Sequence, residues 1–113
     1  MGQDDIRIID VLGMLGRKDC LFVDLRDEED YHKRHLKGAV NIPYESLQEK
    51  KEMLSGWRRI YLYCDRGNAS LLASRDLKRE GYPVVNLWGG VHGFEKELRR
   101  TGKNNIDYIW EKN

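Results

Sequence analysis

The sequence predicts a single α/β domain with a mainly parallel central sheet of about five strands and helices on both faces. Three observations carry that reading. Short runs of β-forming residues alternate with longer segments whose apolar residues recur at helical spacing, the rhythm of right-handed βαβ units. The clearest strand candidate, Ile60-Tyr61-Leu62-Tyr63, holds no charge, as expected of a strand covered on both faces of a parallel sheet. With 113 residues, 40% of them hydrophobic, the chain is long enough for one core and too short for two. The domain is expected to fill residues 1–113, with its core at about 6–101 and a C-terminal extension at 102–113.

In chain order, residues 6–9 read as a short strand, and Asp10 offers an N-cap to a helix carrying Val11, Leu12 and Leu15, stopped at Gly16. Residues 17–19 make a polar turn into a second strand at 20–24. Asp27 is placed to cap a short acidic helix in which Glu28, Glu29 and Asp30 suit the positive end of the dipole. Residues 32–38 form a basic connection, and 39–42 a very short strand halted by Pro43, which has no N–H for a ladder. Residues 45–54 are expected as a third helix with Leu47, Met53 and Leu54 inward, ended by Gly56. After the strand at 60–63, residues 70–80 have helical periodicity, good helix formers and Gly81 at their end. Residues 84–88 are a fifth strand rich in β-formers, Gly89-Gly90 turns the chain, and 91–100 form a last helix with Phe94 and Leu98. In the tail, Ile106, Ile109 and Trp110 stand at helical spacing and are expected to pack back on the domain, with a dimer contact as the rival reading. There is no internal repeat or low-complexity segment.

Composition excludes several classes. Twenty basic residues against 19 acidic ones leave a formal net charge of +1, which predicts neither nucleic-acid nor membrane-surface binding. The first residues lack the apolar stretch of a signal peptide, and no run approaches the ~18 apolar residues of a membrane span. The expectation is a cytoplasmic protein, a monomer or weak dimer.

Two cysteines are present. If Cys20 opens one parallel strand and Cys64 closes another, they lie roughly 10–15 Å apart at ~3.3 Å per residue, whereas a disulfide needs Cα atoms within ~7 Å. Cys20 therefore reads as a buried, reduced thiol. Cys64 reads as the functional one: it stands at the carboxyl end of a strand and faces the amino end of a helix, where N–H groups and the helix dipole favour an anion. A thiol of ordinary pKa is only ~3% thiolate at pH 7, and lowering that pKa to ~6 requires ~3.4 kcal/mol. A helix dipole typically supplies ~0.3–1 kcal/mol. The loop formed by Asp65, Arg66, Gly67, Asn68, Ala69 and Ser70 must then aim several backbone N–H groups at the sulfur, which its small residues permit. Arg66 is placed to add charge or to meet an anionic substrate.

Two signatures flank this loop. Val23-Asp24-Leu25-Arg26-Asp27-Glu28-Glu29-Asp30-Tyr31 and then His35-Leu36-Lys37-Gly38-Ala39-Val40-Asn41-Ile42-Pro43 precede it, and Leu87-Trp88-Gly89-Gly90-Val91-His92-Gly93-Phe94 follows. With them the chain resembles the single-domain rhodaneses (thiosulfate sulfurtransferases) from about residue 6 to 101. The resemblance implies a rhodanese-like fold and a sulfurtransferase that needs no metal or organic cofactor. Cys64 would attack the outer sulfur of thiosulfate, release sulfite, carry a persulfide cradled by the amides of residues 65–70, and pass the sulfur to cyanide or a thiol, including a protein thiol. It also implies that the loop of His92 approaches the pocket, so that His92 is a candidate pocket residue, touching substrate or tuning the thiolate, with simple surface exposure as the alternative, and that Asp24 and Arg26 are structural partners. One departure is Ala69, where many members carry a basic residue; this puts the identity of the sulfur donor in question. The alternative function is a catalytically silent module for protein interaction or regulation.

Other chemistries fit less well. A related phosphatase needs a His before the cysteine and an Arg six positions after it, and here these are Tyr63 and Ser70. His32 and His35 lack a placed third metal ligand, so His35 reads as structural. Trp57, Trp88 and Trp110 read as core or cover. Residues 67–70 lack the Lys and second Gly of a nucleotide-binding P-loop.

Overall fold

The computed structural model describes residues 5–102 and 109–112. Its centre is a five-stranded sheet of β1 (Asp5–Arg7), β2 (Cys20–Asp24), β4 (Val40–Asn41), β5 (Arg59–Tyr63) and β6 (Val84–Trp88). The spatial order is β1-β6-β5-β2-β4, and every pairing is parallel. Among the described residues three α-helices complete the α/β plan: α1 (Glu28–Lys33), α2 (Asn68–Arg79) and α3 (Gly90–Thr101). A separate pair, β3 (His35–Leu36) with β7 (Trp110–Glu111), is antiparallel.

Strand period sorts the core into two layers. Phe22, Tyr61, Tyr63, Val85 and Leu87 face Ile8, Val11, Phe94 and Leu98. Leu21, Val23, Ile60, Leu62 and Val84 face Leu47, Leu54, Ala73 and Leu77. Both faces of β5 are thus covered, and its last four residues are buried. Each such Leu, Ile, Val or Phe contributes about 1.5–3 kcal/mol of hydrophobic stabilisation. Burial on both sides also fixes register: β2 and β5 pair from Cys20↔Arg59 to Asp24↔Tyr63. That register brings the exits of β2 and β5 side by side at one end of the sheet.

Several local expectations need correction. The first strand stops at Arg7, and Ile8–Met14 is a 3-10 helix broken at Val11 rather than an α-helix capped by Asp10. Asp10 pairs instead with the Arg7 guanidinium at 3.1 Å; β-branched Ile8, Ile9 and Val11 together with Gly13 make this a poor α-helix sequence. The expected helix at 45–54 is two 3-10 turns, Tyr44–Ser46 and Lys51–Leu54. Only Leu47 and Leu54 are buried there while Met53 is exposed, so the segment lacks an apolar stripe broad enough to hold a regular helix. Asp27 stands at the N-cap position of α1 without a side-chain capping bond.

Of the tail, Ile106 lies outside the described residues. Ile109 is fully buried, and Trp110–Glu111 is extended, not helical, because its backbone pairs with β3. Trp110 packs against Phe94 and lies under the Arg34 guanidinium, 4.3 Å from the ring centroid. Trp57 is half-buried, its indole N–H donating to Met53 O at 3.0 Å. Trp88, expected as core or cover, is 51% exposed. His35 is buried, stacked on Tyr31 at 3.8 Å, with Nδ1 2.9 Å from Tyr31 O, which gives it a structural job. Among the described residues no helix is long and apolar enough to cross a membrane.

Candidate active site

Cys64 follows the last residue of β5 and is 6% exposed. Its sulfur sits under the first turn of α2. The Gly67 N–H donates to Sγ at 3.0 Å and the Ser70 N–H at 3.4 Å. Ser70 Oγ lies 3.6 Å from Sγ and itself donates to Gly67 O at 3.2 Å, which closes the loop on itself. Ser70 is fully buried, and the Ser74 hydroxyl holds it from behind by donating to Ser70 O at 2.5 Å. The amino end of α2 therefore spends its otherwise orphan N–H groups on a sulfur atom.

Two glycines make this curl possible. Gly67 has φ +104°, and a Cβ on it would stand 2.9 Å from the Gly89 N. Gly90 has φ +60°, and a Cβ there would stand 2.4 Å from the Cys64 carbonyl oxygen. The close approach has a purpose: the Val91 and His92 N–H groups donate to the carbonyls of Cys64 and Asp65 at 3.0 and 2.9 Å. The first turn of α3 thus fixes the two peptide units that carry the cysteine. His92 reaches the loop through its backbone only. Its side chain is exposed and is not among those lining the cleft beside Cys64, which matches surface exposure, one of the two positions the sequence left open for it.

The opposite wall is anchored by a buried ion pair. Asp24 is fully buried and receives the Arg26 backbone N–H at 2.9 Å and its guanidinium at 2.8 and 3.0 Å. The same guanidinium donates to Arg34 O at 2.6 Å, while Asn41 Nδ2 donates to the carbonyls of Asp24 and Arg26, both at 3.0 Å. Below them the Tyr63 hydroxyl accepts the Leu36 N–H at 3.0 Å. Burial, then the nearby Asp24 charge, pushes that phenol well above its ordinary range, so it stays a neutral hydroxyl.

The resulting cleft is open, about 320 Å³, and its walls include Leu25, Arg26, Asp27 and Asp30 on one side and Cys64, Asp65, Arg66, Asn68 and Ala69 on the other. Of the loop residues named from sequence, Gly67 lines a neighbouring groove with Trp88 and Gly89, and Ser70 lies beneath the sulfur. Sequence reasoning missed Asp27 and Asp30 as cleft walls. The acidic run was visible, but helix capping explained it fully until the Asp24–Arg26 anchor turned α1 toward the cysteine.

Cys64 is thus a nearly buried thiol at the carboxyl end of a parallel strand, with two backbone N–H groups on its sulfur and a cleft beside it. The chain belongs to the rhodanese-like domain family, whose model matches residues 8–97. It is 33% identical over 70 residues to the Bacillus subtilis protein named "Putative sulfur carrier protein YrkF", an alignment covering 61% of this chain and 38% of that protein. Among solved structures it resembles a rhodanese-related protein from Thermoplasma volcanium at TM-score 0.73 and 25% identity, covering 82% of this chain and 91% of the other. It also resembles a thiosulfate sulfurtransferase from Pseudomonas aeruginosa at TM-score 0.71 and 25% identity, covering 83% of this chain and 18% of the other. The curated relatives are much longer: this chain spans 30–38% of the lengths of the first ones it matches.

Proposed function

We propose that this chain is a sulfurtransferase in which Cys64 carries the sulfur as a persulfide. The Cys64 thiolate attacks the outer sulfur of thiosulfate or a related sulfane donor; the donor's S–S bond breaks, and the remaining sulfite or thiolate leaves with the bonding electron pair. The new Cys64–S–S⁻ then yields its outer sulfur to cyanide or a thiol, which restores the thiolate. The observation that carries this reading is the pair of amides at Gly67 and Ser70 directed at Sγ. They hold the sulfur with two backbone donors, and the curl of residues 65–70 offers further backbone to the second sulfur.

The experiment is sulfur transfer from thiosulfate to cyanide, followed as thiocyanate, in the native chain and in Cys64→Ser. Transfer should fall to the uncatalysed background in the variant. Activity that survives the substitution undiminished overturns the reading, and absence of turnover with every sulfane donor favours a silent interaction module instead. Arg66→Ala separates two uses of its charge. A raised KM at unchanged kcat assigns Arg66 to holding the donor, and an equal fall in kcat and kcat/KM assigns it to charge developing in the transition state.

A further inference from the structure

The charges on the cleft walls bear on which donor Cys64 accepts. Two cations line it, Arg26 and Arg66. Arg26 is committed to Asp24 and to the Arg34 carbonyl, so its charge is matched inside the fold. Arg66 is exposed, with Nε 3.9 Å from Asp65 Oδ2. The remaining wall charges are the carboxylates of Asp27 and Asp30, with Lys33 3.9 Å from Asp30. Glu28 and Glu29 follow Asp27 on α1 and are exposed. Ala69 lines the same cleft and brings no charge. The nucleophile is thus approached past a wall whose uncancelled charge is negative.

Such a wall suits some sulfur donors better than others. Thiosulfate brings two negative charges into a cleft that Asp27 and Asp30 line with carboxylates. An organic persulfide, R–S–SH, brings the same transferable sulfur with one negative charge at most, and its R group can carry a cation. We propose that the donor is an organic persulfide whose carrier is positively charged beside the sulfur, and that Asp27 and Asp30 select it. The transfer balances without an oxidant or reductant: Cys64–S⁻ and R–S–SH give Cys64–S–SH and R–S⁻, one S–S bond forming as another breaks. This inference rests on the persulfide reading above. Its carrier is either a small aminothiol or a cysteine flanked by lysines in a protein, which share the chemistry that Asp27 and Asp30 recognise.

The test loads the reduced chain with thiosulfate, glutathione persulfide, cysteamine persulfide, or a persulfidated peptide of sequence Lys-Cys-Lys or Glu-Cys-Glu. The rate of sulfur addition to Cys64 is read by mass spectrometry. Cysteamine persulfide and the Lys-Cys-Lys peptide should exceed glutathione persulfide, the Glu-Cys-Glu peptide and thiosulfate, and which of the two leads assigns the carrier. In the double variant Asp27→Asn, Asp30→Asn the preference should shrink by about two- to fivefold per carboxylate at low salt, through KM more than kcat. At 1 M salt, where the Debye length is ~3 Å, native and variant should converge. Thiosulfate loading at least as fast as cysteamine persulfide, or an unchanged preference in the variant, overturns the inference and leaves the persulfide reading standing. If no donor adds sulfur to Cys64, both fall.

Discussion

β2 and β5 run side by side in the same direction, and the chain carries a cysteine at each end of the pair. Cys20 opens β2, half-buried, with its thiol 3.5 Å from Asp19 Oδ1; the sequence led us to expect full burial, but the position lies at the rim of the sheet. Burial pushes this thiol up, and the Asp19 carboxylate pushes it further. Cys64, beyond the other end, meets the N–H groups of Gly67 and Ser70. Both thiols are free, Cys20 on β2 and Cys64 just past the end of the neighbouring β5. What separates them is strand polarity. At the carboxyl end the chain turns into a helix whose N–H groups face back at the strand, while at the amino end a turn presents carboxylate and carbonyl oxygens. The partners a thiol meets are thus a property of its place in the fold before they are a property of the residue.

If that contrast is right, disturbance at the carboxyl pole should cost more than disturbance at the amino pole. The largest effect is expected from Asp24→Ala, which strands the mostly buried Arg26 beside Arg34 O; about 3–5 kcal/mol of stability should be lost, measured by urea unfolding. Gly90→Ala comes next. Its φ of +60° costs about 1–3 kcal/mol for a non-glycine residue, and contact with the Cys64 carbonyl adds to that, so sulfur loading and the unfolding midpoint should fall together. Tyr63→Phe removes the acceptor for the Leu36 N–H, and leaving that buried donor unpaired should cost about 1–3 kcal/mol.

The smallest effects belong to the amino pole. Cys20→Ser should change stability by about 0.5 kcal/mol or less and leave sulfur loading intact. Because the Cys20 pKa is raised, its thiolate fraction at any given pH is below that of free cysteine. Alkylation of Cys20 by iodoacetamide should therefore rise with pH through a midpoint above that of a cysteine peptide, and Asp19→Asn should move the midpoint down. A midpoint at or below the peptide's would remove the contrast between the poles.

Much of this was legible in the residues because it rests on local pattern. Strands buried on both faces announce themselves as uncharged β-forming runs, and Cys64 at a strand end before a helix could be placed from spacing alone. The pieces that escaped depend on distant partners. β3 and β7 are two residues each, too short for any periodicity, and exist only because each pairs with the other. The first 3-10 helix follows from β-branched Ile8, Ile9 and Val11 and from Gly13, and the paired turns at 44–54 from an apolar stripe too narrow to hold a regular helix. Asp27 and Asp30 line the cleft because Arg26 is clamped between Asp24 and Arg34 O, a contact unreadable from the acidic run itself. His92 stands in a motif that approaches the loop, yet the contact runs through its backbone N–H, and sequence does not distinguish main chain from side chain.

The central claim is that Cys64, and not Cys20, holds the transferred sulfur. It is tested most directly by incubating the reduced chain with a sulfane donor, digesting it without reductant, and reading each cysteine peptide by mass spectrometry. The account predicts one additional sulfur on the peptide containing Cys64, removed by cyanide, and none on the peptide containing Cys20. Sulfur on Cys20, or an unmodified Cys64 with every donor tried, would contradict it.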